Sequence, residues 1–353
     1  MDGHDRDSVI GNDNPKSSVG PLWNSVISAE AERFLDLDEI KSRMNLINDA
    51  ISDFIETALG EDSVLHNAAR HLLQAGGKRL RSLIVLLACE ATGGKADDAI
   101  PFAIATEILQ TTSLIHDDYV DEDVLRRGVE TTHEKFGKKM ALLAGDLLIA
   151  QAIKMFGESA TPEMLIQVGT SGIKMCEGEA ADFLMSLRGP ANFTTEAYLQ
   201  MVELKTATFM EEAVRIGANA GNPTEESLNA LMQYGKMLGY AFQIRDDTLN
   251  IISSQAITGK SEFSDIENKR FNFVLTYALE SSSPERRGQA LTSLEKNNFE
   301  DILNLIEETN AISHANELAA EYIVKAKSAL EGKDILGMSH LKALADFILV
   351  RDR

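Results

Sequence analysis

Apolar residues recur at helical spacing along almost the whole chain. Ile40, Met44, Ile47, Ile51, Phe54 and Ile55 return every three or four positions, the signature of one buried helix face. A second helix is predicted from about Asp62 to Gln74, stopping at Gly76-Gly77, and a third from near Lys78 to just before Gly93-Gly94. A long helix follows from about Asp98 to Asp121, with Pro101 in its first turn. Further helical stretches cover 139–157, 162–187, 194–219 and 224–253, a loop is expected at 254–268, and shorter helices at 270–351. No segment alternates as a strand does, and no linker divides the chain after residue 30. The pattern predicts one all-α domain over 31–353, preceded by a polar, flexible tail at 1–30.

Composition narrows the function classes. Lys and Arg number 34 against 55 Asp and Glu, a formal net charge of −21, while hydrophobic residues make up 44% of the 353. Such a field repels nucleic acid and anionic lipid, so neither is expected as a partner. A bound phosphate must be met by a local group of Lys and Arg, or by metal ions on carboxylates. Two cysteines, Cys89 and Cys176, are too few for a disulfide framework or a Cys-based zinc site. The longest apolar run, Leu83 to Cys89, is too short to span a bilayer. The N-terminus has neither an apolar signal core nor the Arg-rich look of a transit peptide, and a cytoplasmic protein is expected.

Two acidic segments end uncharged, buried-looking helical stretches. Asp117, Asp118 and Asp121 follow Ile108–Ile115; on a helix, positions i and i+4 put Asp117 and Asp121 one turn apart, with Asp118 alongside. Asp246 and Asp247 follow a similar stretch. Hard oxygen ligands at this spacing suit Mg²⁺, which takes one or two carboxylates plus waters and phosphate oxygens. Either segment alone reads equally well as a solvated acidic helix end; two facing each other would cage a diphosphate. Lys78 and Arg81 follow a glycine turn at a helix start, an anion-binding arrangement, and Arg126-Arg127-Gly128 trails the first acidic group. Lys205, Lys260 and Lys269 add cations that singly read as solvated side chains.

The order of these elements resembles the trans-isoprenyl diphosphate synthases, the farnesyl, geranylgeranyl and longer polyprenyl enzymes. The resemblance runs over roughly residues 40–280: Gly77-Lys78-Arg79-Leu80-Arg81, His116-Asp117-Asp118-Tyr119-Val120-Asp121, Arg126-Arg127-Gly128, Gly178-Glu179-Ala180-Ala181-Asp182, Lys205-Thr206, Phe242-Gln243-Ile244-Arg245-Asp246-Asp247, Gly259-Lys260 and Lys269. It implies a bundle of long antiparallel helices around a central cavity, usually a homodimer. It implies three Mg²⁺ on Asp117, Asp118, Asp121, Asp182 and Asp246, with Asp247 in the second motif. It implies isopentenyl diphosphate on Lys78, Arg81, Gln110 and Arg127, and an allylic diphosphate among Arg126, Lys205, Lys260 and Lys269. Thr206 and Gln243 would lie near the developing carbocation.

Four positions depart from the family pattern: Asn250 for the third Asp of the second motif, Ser82 for a frequent Pro, Asn268 before Lys269 for Gly, and Gln110 where many members have His. Small Thr112 and Ser113 precede Asp117, so the floor of the chain-length cavity is expected deeper, at Leu109 or Ile108, for a product of about twenty carbons or more. Two other readings compete. A class I terpene cyclase would carry a Glu at the end of its second metal motif, which is missing after Asn250 and Ser254. A non-catalytic subunit has only Asn250 in its favour.

Overall fold

The computed structural model describes residues 31–189, 194–258 and 272–351. The expected tail at 1–30, and Gly259, Lys260, Asn268 and Lys269, lie outside the described residues. After a 3₁₀ turn at Ala31–Asp36, the chain forms α1 (Asp38–Ala58), α2 (Val64–Gln74), α3 (Leu80–Ala91) and α4 (Ala96–Asp121). Two short strands, β1 (Leu125–Arg126) and β2 (Val129–Glu130), lead to α5 (Thr132–Phe136), α6 (Lys138–Ser159) and α7 (Pro162–Arg188). Then come α8 (Thr195–Val202), a π-helical turn at Glu203–Ala207, α9 (Thr208–Ala220) and α10 (Glu225–Thr258). Five further helices follow: α11 (Phe273–Ser281), α12 (Pro284–Glu295), α13 (Phe299–Glu308), α14 (Ala311–Ala329) and α15 (Met338–Val350).

The all-α expectation holds, with local corrections, among them that α10 runs on to Thr258 where a loop was expected from residue 254. α3 begins at Leu80 rather than near Lys78, because Gly76, Gly77 and Arg79 all have positive φ, a backbone no helix can contain. α4 begins at Ala96, so Pro101 falls in its second turn. The strands were not anticipated, being two residues each; Arg127 and Gly128, both at positive φ, turn the antiparallel pair back on itself. That hairpin brings Arg126 back towards α4.

α3 is apolar on every side, and all its residues except Arg81 and Glu90 are buried, so it runs through the centre of the bundle. It packs against α4 and α9, while α4 packs most heavily on α6, and α10 on α9 and α14. Ser82 meets Ala103 and Arg79 meets Glu107, so α3 and α4 are antiparallel. Side-chain caps set several helix starts: Thr161 accepts from Met164 N just before Pro162 at the first position of α7, and Asn272 accepts from Leu275 N at the start of α11. α7 is the least covered of the long helices, burying only Ser171 and Gly178.

Candidate active site

The uninterrupted helix expected over 194–219 is broken where the resemblance put chemistry. Glu203–Ala207, holding Lys205 and Thr206, is π-helical, and Thr208 caps the widened turn by giving its N–H and its hydroxyl to Glu203 O. Such bulges concentrate at functional sites. Two glycines make room for it. A Cβ on Gly178 of α7 would lie 2.5 Å from Lys205 N, and one on Gly239 of α10 would lie 2.5 Å from Ala207 Cα. Helices on both sides thus touch the bulge backbone directly.

Above the bulge opens a cavity of about 600 Å³. α4 contributes Asp117 and Asp121, α7 Glu179 and Asp182, and α10 Gln243, Asp247 and Asn250, with Arg126, Lys205, Tyr198 and Asn272 completing the polar wall. The two acidic segments therefore face one cavity. Lys205 Nζ sits 2.7 Å from Glu179, 2.8 Å from Asp182 and 3.6 Å from Asp117. Burial alone would pull its pKa down; the combined field of Asp117, Asp182 and Glu179 overcomes that and raises it. Burial, with Asp117 alongside, pushes Glu179 up to about 8 despite the ammonium.

The individual carboxylates have unequal surroundings. Asp117 and Asp121 reach the cavity, but Asp118 is fully buried and turned to Arg126, whose Nε donates to it at 2.7 Å. Burial raises the Asp118 pKa against the opposing pull of Arg126. Its expected place beside the other two as a ligand is thus taken up by an ion pair. On α10 it is Asp247 and Asn250 that line the cavity, while Asp246 Oδ1 accepts from Arg351 at 2.6 Å. Asp247 is buried and pushed up to about 7, although Tyr198 Oη, Phe273 N at 2.8 Å and Gln243 Nε2 at 3.0 Å all donate to it. Thr206 Oγ1 donates to Gln243 Oε1 at 2.9 Å, which links the bulge to Asp247.

The basic loop with Lys78 and Arg81, like Gln110 and Arg127, is not part of this cavity's lining. Arg81, in the first turn of α3, has its guanidinium 5.0 Å from the Phe209 ring centre and 5.4 Å from that of Phe242. Burial lowers its pKa to about 10, Glu107 and Asp246 acting against that shift. Arg351 covers the Phe242 ring at 4.0 Å and donates to Phe242 O. Arg127 reaches under the loop to Leu72 O and Gly76 O. Gln110 and Lys78 are half-buried, and Gln110 Oε1 has no partner among the described residues. Below Asp117 on α4, Thr112 is buried, Ser113 donates to Gln110 O, and Leu109 is half-buried.

Residues absent from the expected site include Glu179, Tyr198, Asn272 and Arg351. Glu179 stood inside a recognised motif without a role. Arg351 follows an apolar helix at the far end of the sequence, and only the fold carries it to Asp246. The bulge leaves no periodic trace, since one extra backbone residue shifts a helical pattern by less than its natural scatter.

The fold and site define a class: an all-α bundle whose core cavity gathers carboxylates from three helices beside half-buried cations. The chain belongs to the polyprenyl synthetase family, whose sequence profile matches residues 62–309. It is 37% identical to a geranylgeranyl pyrophosphate synthase of Geoglobus acetivorans over 320 residues, 89% of this chain and 98% of that one. Its fold is similar to the crystal structure of geranylgeranyl pyrophosphate synthetase from Pyrococcus horikoshii, with a TM-score of 0.82 and 32% identity over 91% of this chain and 99% of that one. It is also similar to a polyprenyl synthase from Caulobacter crescentus, solved with calcium and isoprenyl diphosphate, with a TM-score of 0.80 and 30% identity over 93% and 99%.

Proposed function

We propose that this chain joins isopentenyl diphosphate to an allylic diphosphate (dimethylallyl, geranyl or farnesyl), giving an all-trans prenyl diphosphate of about twenty carbons or more and releasing diphosphate. The observation that carries this is the single cavity onto which Asp117 and Asp121 of α4 and Asp247 of α10 converge, with Arg126 and Lys205 at its wall. Among the described residues no three His, Cys, Asp or Glu side chains converge closely enough to hold an ion as they stand. The Lys205 ammonium instead sits among Asp117, Glu179 and Asp182, a donor set of hard oxygens that already gathers a cation, so the residues fit magnesium. The expected three ions would be held by Asp117, Asp121 and Asp182 and, from the second motif on α10, by Asp246 in exchange for its present partner Arg351, and would neutralise the leaving diphosphate.

Arg126 and Lys205 take up charge as the allylic C–O bond breaks and its electron pair leaves with the diphosphate. Gln243 Oε1 and Thr206 Oγ1 offer their lone pairs to the allylic cation. The double bond of isopentenyl diphosphate, anchored by Lys78, Arg81, Gln110 and Arg127, then attacks the allylic carbon, where positioning supplies much of the rate. The proton lost in forming the new double bond passes to the departed diphosphate. The growing chain descends along α4, past Ser113 one turn below Asp117 and Leu109 about 12 Å below it.

A second copy of the chain is the partner that α6 and α7 suit. By length and composition α6 is apolar enough to cross a bilayer, yet one face is packed in the bundle (Ala141, Ala144, Leu148, Ala152 and Phe156). Leu142, Leu143 and Ile153 are exposed on the same helix, as are Ile166 and Ile173 on α7. Two consecutive helices with exposed apolar side chains fit a homodimer better than a membrane span. Both cysteines are free, Cys89 buried and Cys176 exposed, which suits the reducing cytoplasm.

Incubation with magnesium, labelled isopentenyl diphosphate and each allylic primer, followed by chromatography of the dephosphorylated products, tests the reaction. All-trans products that require both substrates support it. Diphosphate released from the allylic substrate alone identifies a cyclase, and no turnover by the purified chain a non-catalytic subunit.

A further inference from the structure

Glu107 on α4 is 2% exposed, an uncommon place for a carboxylate, and no role has so far been given to it. Three arginines surround it. Arg79 Nη1 donates to Glu107 Oε1 at 2.6 Å, Arg127 Nη2 lies 3.8 Å from the same oxygen, and Arg81, in the first turn of α3, feels its charge. The other oxygen, Oε2, accepts from Ser82 Oγ at 3.0 Å, and that hydroxyl also lies 3.0 Å from Ala103 O. Ser82 is the position where the family frequently has proline, which could donate nothing here.

The backbone of the basic loop is tied to the same point. Arg79 itself is in the left-handed region, φ 49°, and its Nη2 donates to Leu73 O at 2.7 Å, which fastens the loop across its own base. Arg127 donates to Leu72 O and Gly76 O, and a Cβ on Gly77, φ 141°, would lie 2.9 Å from the Arg127 guanidinium carbon. The turn carrying Lys78 and Arg81 is therefore clamped between two guanidinium groups that share one carboxylate.

We infer that Glu107, oriented by Ser82, is a positioning residue for the second-diphosphate site: it neutralises Arg79 and holds Arg127 so that the loop bearing Lys78 and Arg81 presents its cations in fixed geometry. This deepens the reading of that loop as the isopentenyl diphosphate site and rests on it. A buried charge that loses its partner is costly, so the cluster is strongly coupled.

Steady-state kinetics with each substrate varied in turn, on the full-length chain, tests this through Glu107→Gln and Ser82→Ala. Gln keeps the shape of Glu and deletes one negative charge beside three cations. A role through the field alone would tighten diphosphate binding and lower KM for isopentenyl diphosphate. Positioning predicts the reverse: KM for isopentenyl diphosphate rises about tenfold or more in Glu107→Gln and about threefold in Ser82→Ala, while KM for the allylic diphosphate stays within twofold. A fall in the isopentenyl KM, or equal changes in both constants, overturns the inference. If Glu107→Gln does not fold, Ser82→Ala decides alone, and an unchanged isopentenyl KM in it overturns the inference. A parent protein that never uses isopentenyl diphosphate refutes the underlying function instead, so the two failures are distinguishable.

Discussion

Replacing Gly178 with alanine puts one methyl group against the backbone that carries Lys205. The new Cβ would lie 2.5 Å from Lys205 N and 2.9 Å from Leu204 C and Leu204 Cβ. Ordinary contact needs about 3.5 Å, so α7 and the bulge must separate by about 1 Å. Overpacking of this kind costs about 1–3 kcal/mol, partly offset by the ~1 kcal/mol that alanine gains over glycine in a helix. The melting temperature should fall by only a few degrees. The larger effect is on rate. Lys205, Glu179 and Asp182 move relative to one another, and a 1 Å misplacement of positioned groups costs about 100-fold in turnover. Diphosphate release at saturating levels of both substrates reads this directly. Gly288→Ala on α12, with nothing within 4 Å of the new Cβ, is the control and should leave turnover unchanged. A folded Gly178→Ala enzyme with turnover within twofold of the parent would refute the claim that the bulge is held by backbone contact.

Three other outcomes follow from the same geometry. Thr112→Phe should shorten the product and Leu109→Ala should lengthen it by about one isoprene unit, read by chromatography of the dephosphorylated products; identical products from both variants and the parent would discard this floor. In EDTA-treated protein the folded state keeps the Asp247 proton up to about pH 7 while the unfolded chain releases it near pH 4, so stability falls as pH rises through that window and then levels. Asp247→Asn should flatten that part of the melting-temperature profile, and an unaltered slope would show that Asp247 is not its source. Leu143→Glu combined with Ile173→Glu places charge on exposed apolar positions of α6 and α7, and sedimentation should show a dimer for the parent and a monomer for this variant.

The helices were legible because burial on one face imposes a period, and all-round burial imposes a continuous apolar run such as that of α3. The end of α2 followed from the double glycine after it. What could not be read was whatever depends on backbone shape or on distant partners. Positive φ at Arg79 moved the start of α3, and an Arg-Gly turn made a hairpin too short to alternate. Motif spacing brought Asp117, Asp121, Asp182, Lys205, Gln243 and Asp247 to one cavity or its wall. It could not say that Asp118 would turn to Arg126, or Asp246 to Arg351, since each pairing joins elements that are remote or newly bent in the fold. Glu107 is invisible for the same reason: one carboxylate in an apolar helix has no pattern until three arginines surround it.

A double-mutant cycle on turnover, Asp121→Asn against Asp247→Asn, most directly tests the claim that carboxylates on α4 and α10 act on one diphosphate. Residues serving a common group lose their effect together, so each single variant should fall by about 100-fold or more and the double should be little worse than the poorer single. Losses that multiply in the double variant would place the two carboxylates in separate sites and contradict the account.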